Sequence, residues 1–88
     1  MKRYYIIYKG RVQGVGFRYR LMCLADKYHL TGYVRNRLNG DVDCEVQGED
    51  IDAFLKESLE KDYFIKINDY SVKEIPLKEN DGEFTVRF

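Results

Sequence analysis

The chain has 88 residues and no formal net charge; 44% are hydrophobic, 34% are charged and only one is proline. This composition excludes an intrinsically disordered chain, and no apolar run reaches the roughly 20 residues that a transmembrane helix needs. We expect a single cytoplasmic domain over residues 1–88, without a membrane partner.

The net charge of zero is the sum of a basic first half and an acidic second half of the chain. Residues 1–40 carry nine basic and one acidic side chain (+8), whereas residues 41–88 carry six basic and fourteen acidic ones (−8). Such a division favours an anionic partner for the first half of the chain. The alternative is a surface on which the fold interleaves the two halves.

The sequence offers few candidates for metal or disulfide chemistry. Cys23 and Cys44 are the only cysteines and fall on different predicted elements, which favours two free thiols, buried or half-buried. His29 is the only histidine, so the chain lacks a four-ligand zinc set. We expect no metal and no cofactor, and a capping role for His29 at the end of the first helix.

The first predicted elements are a strand, a glycine-rich loop and a helix. Residues 3–9 are β-branched and aromatic on both faces, which is typical of a central strand. Residues 10–16 hold three glycines and no regular pattern. From Phe17 the apolar residues recur at helical spacing, and Gly32 then opens a second strand that ends near Leu38.

The second half of the sequence predicts a hairpin, a helix and two more strands. Asn39 and Gly40 mark the hairpin turn, and residues 41–47 alternate between apolar and polar, as in a strand with one wet face. The remaining elements are a helix from residues 49–50 and strands near residues 67–74 and 83–88. The order β-α-β-β-α-β-β favours an α+β ferredoxin-like sandwich, with two helices on one face of a mostly antiparallel five-stranded sheet.

The glycine loop before the first helix is a candidate anion site. The first N–H groups of a helix lack internal partners, and glycines let an anion approach the backbone closely. Arg18, in the first helical turn, can donate two hydrogen bonds to a phosphate. The spacing of Gly10, Gly14 and Gly16 fits neither a Walker A loop nor a dinucleotide fingerprint, so a phosphate site and a bare tight turn both remain open.

Asn36 is the second candidate, and strand register decides where it points. A two-residue hairpin turn would pair Val34 with Glu45, whereas a three-residue loop with Gly40 left-handed pairs Val34 with Cys44. The three-residue loop keeps the apolar face intact, so we expect it. Asn36 then points to the helix side, where a polar group is costly unless it has partners. The alternative is an asparagine that is hydrogen-bonded within its own turn.

These residues carry a resemblance to a known family. The segment GRVQGVGFR at residues 10–18, followed by GYVRN at residues 32–36 and the turn at Gly40, closely resembles the acylphosphatase family. The resemblance covers nearly the whole chain and implies a metal-independent hydrolase acting on small acyl phosphates. It implies that Arg18 and the loop backbone hold the phosphate, and that Asn36 positions the attacking water. The implied phosphate-binding set is Val12, Gln13, Gly14, Val15, Gly16, Phe17 and Arg18, and the implied catalytic pair is Arg18 and Asn36.

The residue inventory suits this reaction. The chain has no evident nucleophile–base pair, and Arg18 stays protonated near neutral pH. An acyl phosphate needs little acid–base help, because its carboxylate leaving group has a conjugate acid with a pKa of roughly 4. Arg11, Arg35 and Arg37 are interpreted as solvated charges that attract the substrate. In the resembled family the last strand lies near the active-site edge, which makes Arg87 a candidate supporting residue.

Two other functions remain open. One is a non-catalytic anion- or RNA-binding ferredoxin-like module, although the usual aromatic RNA-recognition signature is missing, so we expect no nucleic acid partner. The other is a regulatory or maturation domain of the acylphosphatase type. We expect a monomeric enzyme.

Overall fold

A five-stranded sheet organises the molecule. The computed structural model describes residues 1–87. In chain order the elements are β1 (Lys2–Arg11), α1 (Phe17–Lys27), β2 (Thr31–Asn36), β3 (Val42–Gly48), α2 (Ile51–Ser58), β4 (Lys66–Ile75) and β5 (Phe84–Arg87). The sheet order is β4-β1-β3-β2-β5, and all neighbours are antiparallel except the parallel pair β2–β5. The expected α+β sandwich is confirmed; Phe88, expected in the last strand, lies outside the described residues.

The core lies between the two helices and one face of the sheet. Its fully buried side chains include Ile6, Tyr8, Leu21, Ala25, Val34, Val42, Cys44, Val46 and Phe54. The Tyr8 hydroxyl is satisfied there by the Ser58 hydroxyl at 2.7 Å, and the Tyr8 ring meets Phe17 edge-to-face at 4.8 Å. Since Phe17 is the first residue of α1, this contact fixes the start of the helix against the sheet.

The β2–β3 hairpin has the expected three-residue loop. The Arg37 N–H donates to the Asp41 carbonyl at 2.8 Å, and Gly40 has a φ of 97°. Val34 pairs with Cys44 across the hairpin, and Asn36 pairs with Val42. The register prediction is confirmed, and it sets Asn36 at the end of β2 in the row that faces the helices.

The opposite face of β3 is not wet, so that expectation is wrong. Asp43 has no exposed surface. Its carboxylate accepts a hydrogen bond from the Tyr5 hydroxyl at 2.6 Å and two from the Arg35 guanidinium, at 2.8 and 3.1 Å. These bonds raise the pKa of Arg35, which is an ion-pair partner of Asp43 and not a freely solvated charge. Alternation in the sequence could not reveal this burial, because the covering side chains come from neighbouring strands.

Removing the Asp43 carboxylate should destabilise the sheet. We expect Asp43→Ala to lower the free energy of unfolding by about 1–3 kcal/mol, because the Tyr5 hydroxyl and the half-exposed Arg35 guanidinium lose the acceptor that they share. Urea denaturation measures the loss. The matched control is Asp69→Ala at an exposed position of β4, expected to stay within about 0.5 kcal/mol of the parent. Equal losses in the two variants would mean that the Asp43 network contributes nothing particular.

Ion pairs between the halves of the chain neutralise much of the charge division. Basic side chains before residue 40 meet acidic ones after it in the pairs Arg3–Glu45, Arg3–Asp81, Lys9–Asp41, Arg20–Asp62, Lys27–Glu57 and Arg35–Asp43. An interleaved surface, the alternative to an anionic partner, accounts for these charges. The difference in net charge between the two halves of the chain is therefore weaker support for an anionic partner than the values of +8 and −8 suggest.

Candidate functional site

The loop between β1 and α1 adopts a backbone conformation that requires glycine at two positions. Gly14 and Gly16 have φ values of 72° and 83°, in the left-handed region. A Cβ built on either residue would meet no atom within 4 Å, so the conformation, and not a lack of space, selects glycine. The space in front of both residues is open to a ligand.

The start of α1 faces this open space. Gly16 is the N-cap residue, and its carbonyl accepts the first helical hydrogen bond, from the Arg20 N–H at 3.1 Å. Within residues 1–87 no side chain caps this end by a hydrogen bond, and the first turn contains no acidic residue. The amide dipoles and positive potential at the start of α1 are therefore not offset by a local carboxylate, which suits an anion.

A small cavity joins the loop to the end of β2. Its volume is about 200 Å³, and it is lined by Val12, Gly14, Gly16, Phe17, Arg18, Tyr19 and Asn36. The structure thus brings together Arg18 and Asn36, which lie on different elements, together with most of the predicted loop residues. Gln13 and Val15 are outside the lining in the described part of the chain; Val15 packs against the core instead.

The stability of the fold does not explain why position 36 is an asparagine. Its Oδ1 atom is buried and has no hydrogen-bond partner among residues 1–87. A buried acceptor left in this state destabilises a fold by about 1–3 kcal/mol. Bonding within its own turn, the alternative for Asn36, is not observed; Asn39 fills that role, because its Oδ1 accepts the Asp41 N–H at 3.0 Å. Asn36 is thus a costly polar residue at the wall of the cavity.

Gln13 ties the glycine loop to the hairpin. Its Nε2 donates to the carbonyls of Arg37 and Asp41, at 2.7 and 2.8 Å, where the hairpin loop begins and ends. The hairpin continues from Asn36, so these bonds set the distance between the loop backbone and the Asn36 amide. From the sequence we expected only the backbone of Gln13 to take part, and this role of its side chain was missed.

Gln13→Ala is expected to lower kcat/KM of phosphate release by about 10- to 100-fold, because a displacement near 1 Å in such a site can have that effect. The matched control is Gln47→Ala. The Gln47 side chain also forms two hydrogen bonds with backbone atoms: its Nε2 donates to the Lys78 carbonyl at 3.1 Å, and its Oε1 accepts the Lys78 N–H at 2.8 Å. These bonds lie on the sheet face away from the helices. We expect Gln47→Ala to lower the melting temperature without lowering kcat/KM. Similar kinetic losses in both variants would contradict the positioning role of Gln13.

The other candidate residues lie away from the cavity. His29 follows α1 with a φ of 54°, and its N–H donates to the Asp26 carbonyl at 3.2 Å, so it caps the opposite end of the helix through its backbone. Arg87 lies over the Tyr33 ring at 3.9 Å, and Arg37 reaches the Tyr5 hydroxyl at 3.4 Å. These two contacts hold both arginines on the sheet face away from the helices.

Tyr19 lines the cavity and was missed, because one exposed tyrosine has no sequence signature. The neighbouring Cys23 thiol raises the pKa of the Tyr19 phenol above its usual value near 10. The phenol is therefore protonated at neutral pH and is no general base. Cys23 itself is exposed, more than expected, while Cys44 is buried as expected, and both thiols are free.

Neither a metal cluster nor a membrane helix is found in the described chain. Over residues 1–87, no three His, Cys, Asp or Glu side chains are grouped so that they could hold a metal ion. No helix in the same range is long and apolar enough to cross a membrane.

Comparison with known proteins shows the family. The sequence model of the Acylphosphatase family matches residues 4–86. The chain belongs to the acylphosphatase family. An acylphosphatase from Bacillus licheniformis is 48% identical over 84 residues, which are 93% of this chain and 91% of that protein. The crystal structure of acylphosphatase from Bacillus subtilis superposes with a TM-score of 0.93 at 38% identity, covering all of both chains.

The same fold also occurs inside a larger protein. Full-length HypF, solved in a phosphate- and nucleotide-bound form, contains a region that superposes with a TM-score of 0.88 at 34% identity. The superposition covers 99% of this chain but only 12% of HypF. The family fold is therefore used both in short acylphosphatases and as one part of a longer chain.

Proposed function

We propose that this enzyme of the acylphosphatase family cleaves the carboxyl–phosphate anhydride bond of acyl phosphates by in-line attack of a water molecule. In this proposal the backbone of residues 12–17 and Arg18 hold the phosphoryl group. Asn36 holds the water, and no metal ion or cofactor takes part.

The unpartnered buried Oδ1 of Asn36 is the observation that carries the proposal. A polar atom that weakens the fold, at the wall of the cavity that Arg18 also lines, is accounted for if it accepts a hydrogen bond from the attacking water. A neutral amide suits that place, because a carboxylate beside the phosphate would repel it.

The charge that develops on the phosphoryl oxygens is stabilised by two groups. One is the uncapped start of α1 with its glycine loop, and the other is the guanidinium of Arg18, whose planar fork can bind two oxygens at once. Phosphoryl transfer depends mostly on such positioning and electrostatic stabilisation.

The leaving carboxylate needs no proton, and the water loses its proton without a basic side chain. Among the described residues that line the cavity there is no Asp, Glu or His. Tyr19 is protonated, and His29 lies at the far end of α1, about 16 Å along a helix of 11 residues at about 1.5 Å per residue. A phosphate oxygen of the substrate is then the acceptor of the proton.

Release of inorganic phosphate from benzoyl phosphate, with a chelator present, tests the proposal. We expect turnover that the chelator does not change, and a pH–rate profile without an essential enzyme group near neutrality. Loss of activity on chelation would contradict the metal-free reaction. Absence of turnover, combined with salt-sensitive binding of an oligonucleotide, would instead favour the RNA-binding module.

A further inference from the structure

The cavity is too small to hold both the phosphoryl group and the acyl group of an acyl phosphate. Sites that enclose drug-sized ligands measure about 300–1,000 Å³, whereas the cavity at the glycine loop measures about 200 Å³. It is therefore of a size for the phosphoryl group alone. The acyl group then lies outside this cavity, and the inference of where it lies rests on the proposed function.

Two depressions adjoin the cavity through shared residues. The first shares Asn36, measures about 570 Å³ and is bordered by Leu38 and by Arg35 and Arg37. The second shares Tyr19 and measures about 610 Å³. We call the second the α1–β5 groove; its lining includes Tyr19, Met22, Asp26, His29 and Leu30 from α1 and the turn after it, and Glu83 and Phe84 at the start of β5.

The geometry of the reaction chooses between them. In an in-line displacement the attacking and leaving oxygens lie on opposite sides of phosphorus. Asn36 holds the attacking water, so the depression that adjoins Asn36 is on the water's side. We propose that the acyl group occupies the α1–β5 groove, and that this groove selects acyl groups that are apolar and carry no second negative charge.

The shape of the groove suits a group that extends from the phosphate. Tyr19, Met22 and Asp26 lie at positions i, i+3 and i+7 of α1, so they follow one side of the helix. From Tyr19 to Asp26 the helix rises by about 10 Å at roughly 1.5 Å per residue. The groove therefore begins beside the phosphate cavity and continues along α1.

The lining explains the selectivity. Tyr19 and Met22 are exposed by 71% and 39%, and with Phe84 they offer an accessible apolar surface. Among residues 1–87, the groove is lined by two carboxylates, those of Asp26 and Glu83, and by one imidazole, that of His29, so the carboxylates outnumber it and would repel an acyl group with a second carboxylate. An aromatic or alkyl acyl group gains contact area there without this repulsion.

The test compares substrates with long and short acyl groups. Met22→Glu places a carboxylate in the groove, whereas acetyl phosphate is too short to reach it. We expect the ratio of kcat/KM for benzoyl phosphate to that for acetyl phosphate to fall by about 5-fold or more. Any effect of the new charge on the phosphate is the same for both substrates and therefore cancels in the ratio.

Leu38→Glu is the matched control, because it places the same charge in the depression beside Asn36, at a fully exposed residue. We expect this variant to leave the ratio within about 2-fold of the parent. A fall with Leu38→Glu and none with Met22→Glu would assign the acyl group to the side of Asn36 and overturn the inference. No change in either variant would overturn it too, since the acyl group would then lie in solvent.

A second variant covers the case in which Met22→Glu does not fold. Met22→Lys should raise kcat/KM for succinyl phosphate, which has a second carboxylate, relative to acetyl phosphate; an unchanged ratio would contradict the inference. Failure of the proposed function has a different result, because the unaltered enzyme would then release phosphate from none of the three substrates.

Discussion

Asn36→Ala is expected to lower kcat by about 100- to 1,000-fold, the effect of removing one preorganised polar group from an active site. Inorganic phosphate should still bind, because the glycine loop and Arg18 are intact. The free energy of unfolding should stay equal or rise, since the variant removes a buried acceptor that has no partner in the described chain. Steady-state kinetics, competitive inhibition by phosphate and urea denaturation measure the three quantities.

Two further variants make the Asn36 result specific. Asn36→Asp keeps the shape of the side chain but adds a charge, so it should weaken phosphate binding as well as turnover. Asn39→Ala alters the nearby asparagine of the hairpin turn and should leave kcat within a few-fold of the parent enzyme. If Asn36→Ala also stays within a few-fold, Asn36 does not position the water.

Arg18→Lys is expected to lower kcat/KM by about 1,000-fold or more, in the range found when an arginine that stabilises phosphoryl transfer is lost. A lysine retains the positive charge but cannot place two N–H groups on two phosphoryl oxygens. The loss should appear in kcat as well as KM, because the contact strengthens as charge develops in the transition state.

Arg20→Lys is the control for Arg18→Lys. Arg20 lies on the same helix turn but binds Asp62 at 3.2 Å and the Glu60 carbonyl at 2.9 Å. This variant should keep kcat/KM near the parent value. Equal losses in both variants would indicate a general effect on α1, and a loss confined to KM for Arg18→Lys would limit Arg18 to binding the substrate.

The elements of the fold could be predicted because their patterns are local. Helical spacing from Phe17, after the glycine-rich loop, predicted α1, and the choice between two hairpin loops predicted the register that turns Asn36 toward the helices. The burial of Asp43 could not be predicted in this way. It depends on Tyr5 and Arg35 reaching across from neighbouring strands, and no short window of sequence contains that information.

The candidate site shows the same limit. The loop glycines, Arg18 and Asn36 became candidates because a glycine-rich turn before a helix and a polar residue in an apolar row are each unusual in their own segments. Their roles were implied by the resemblance to the family and not by these patterns. The bonds from Gln13 to the hairpin and the place of Tyr19 between the cavity and the α1–β5 groove were not found. Both depend on the approach of segments that are separate in the sequence, which only the folded chain brings together.

The parallel pairing of β5 with β2 has a consequence for synthesis of the protein on the ribosome. The strand that ends at Asn36 emerges early, but its outer neighbour is the last strand of the described chain. Until β5 emerges, β2 has one unpaired edge that can bind other nascent chains. A product truncated before β5 would keep this edge unpaired and would be prone to aggregate.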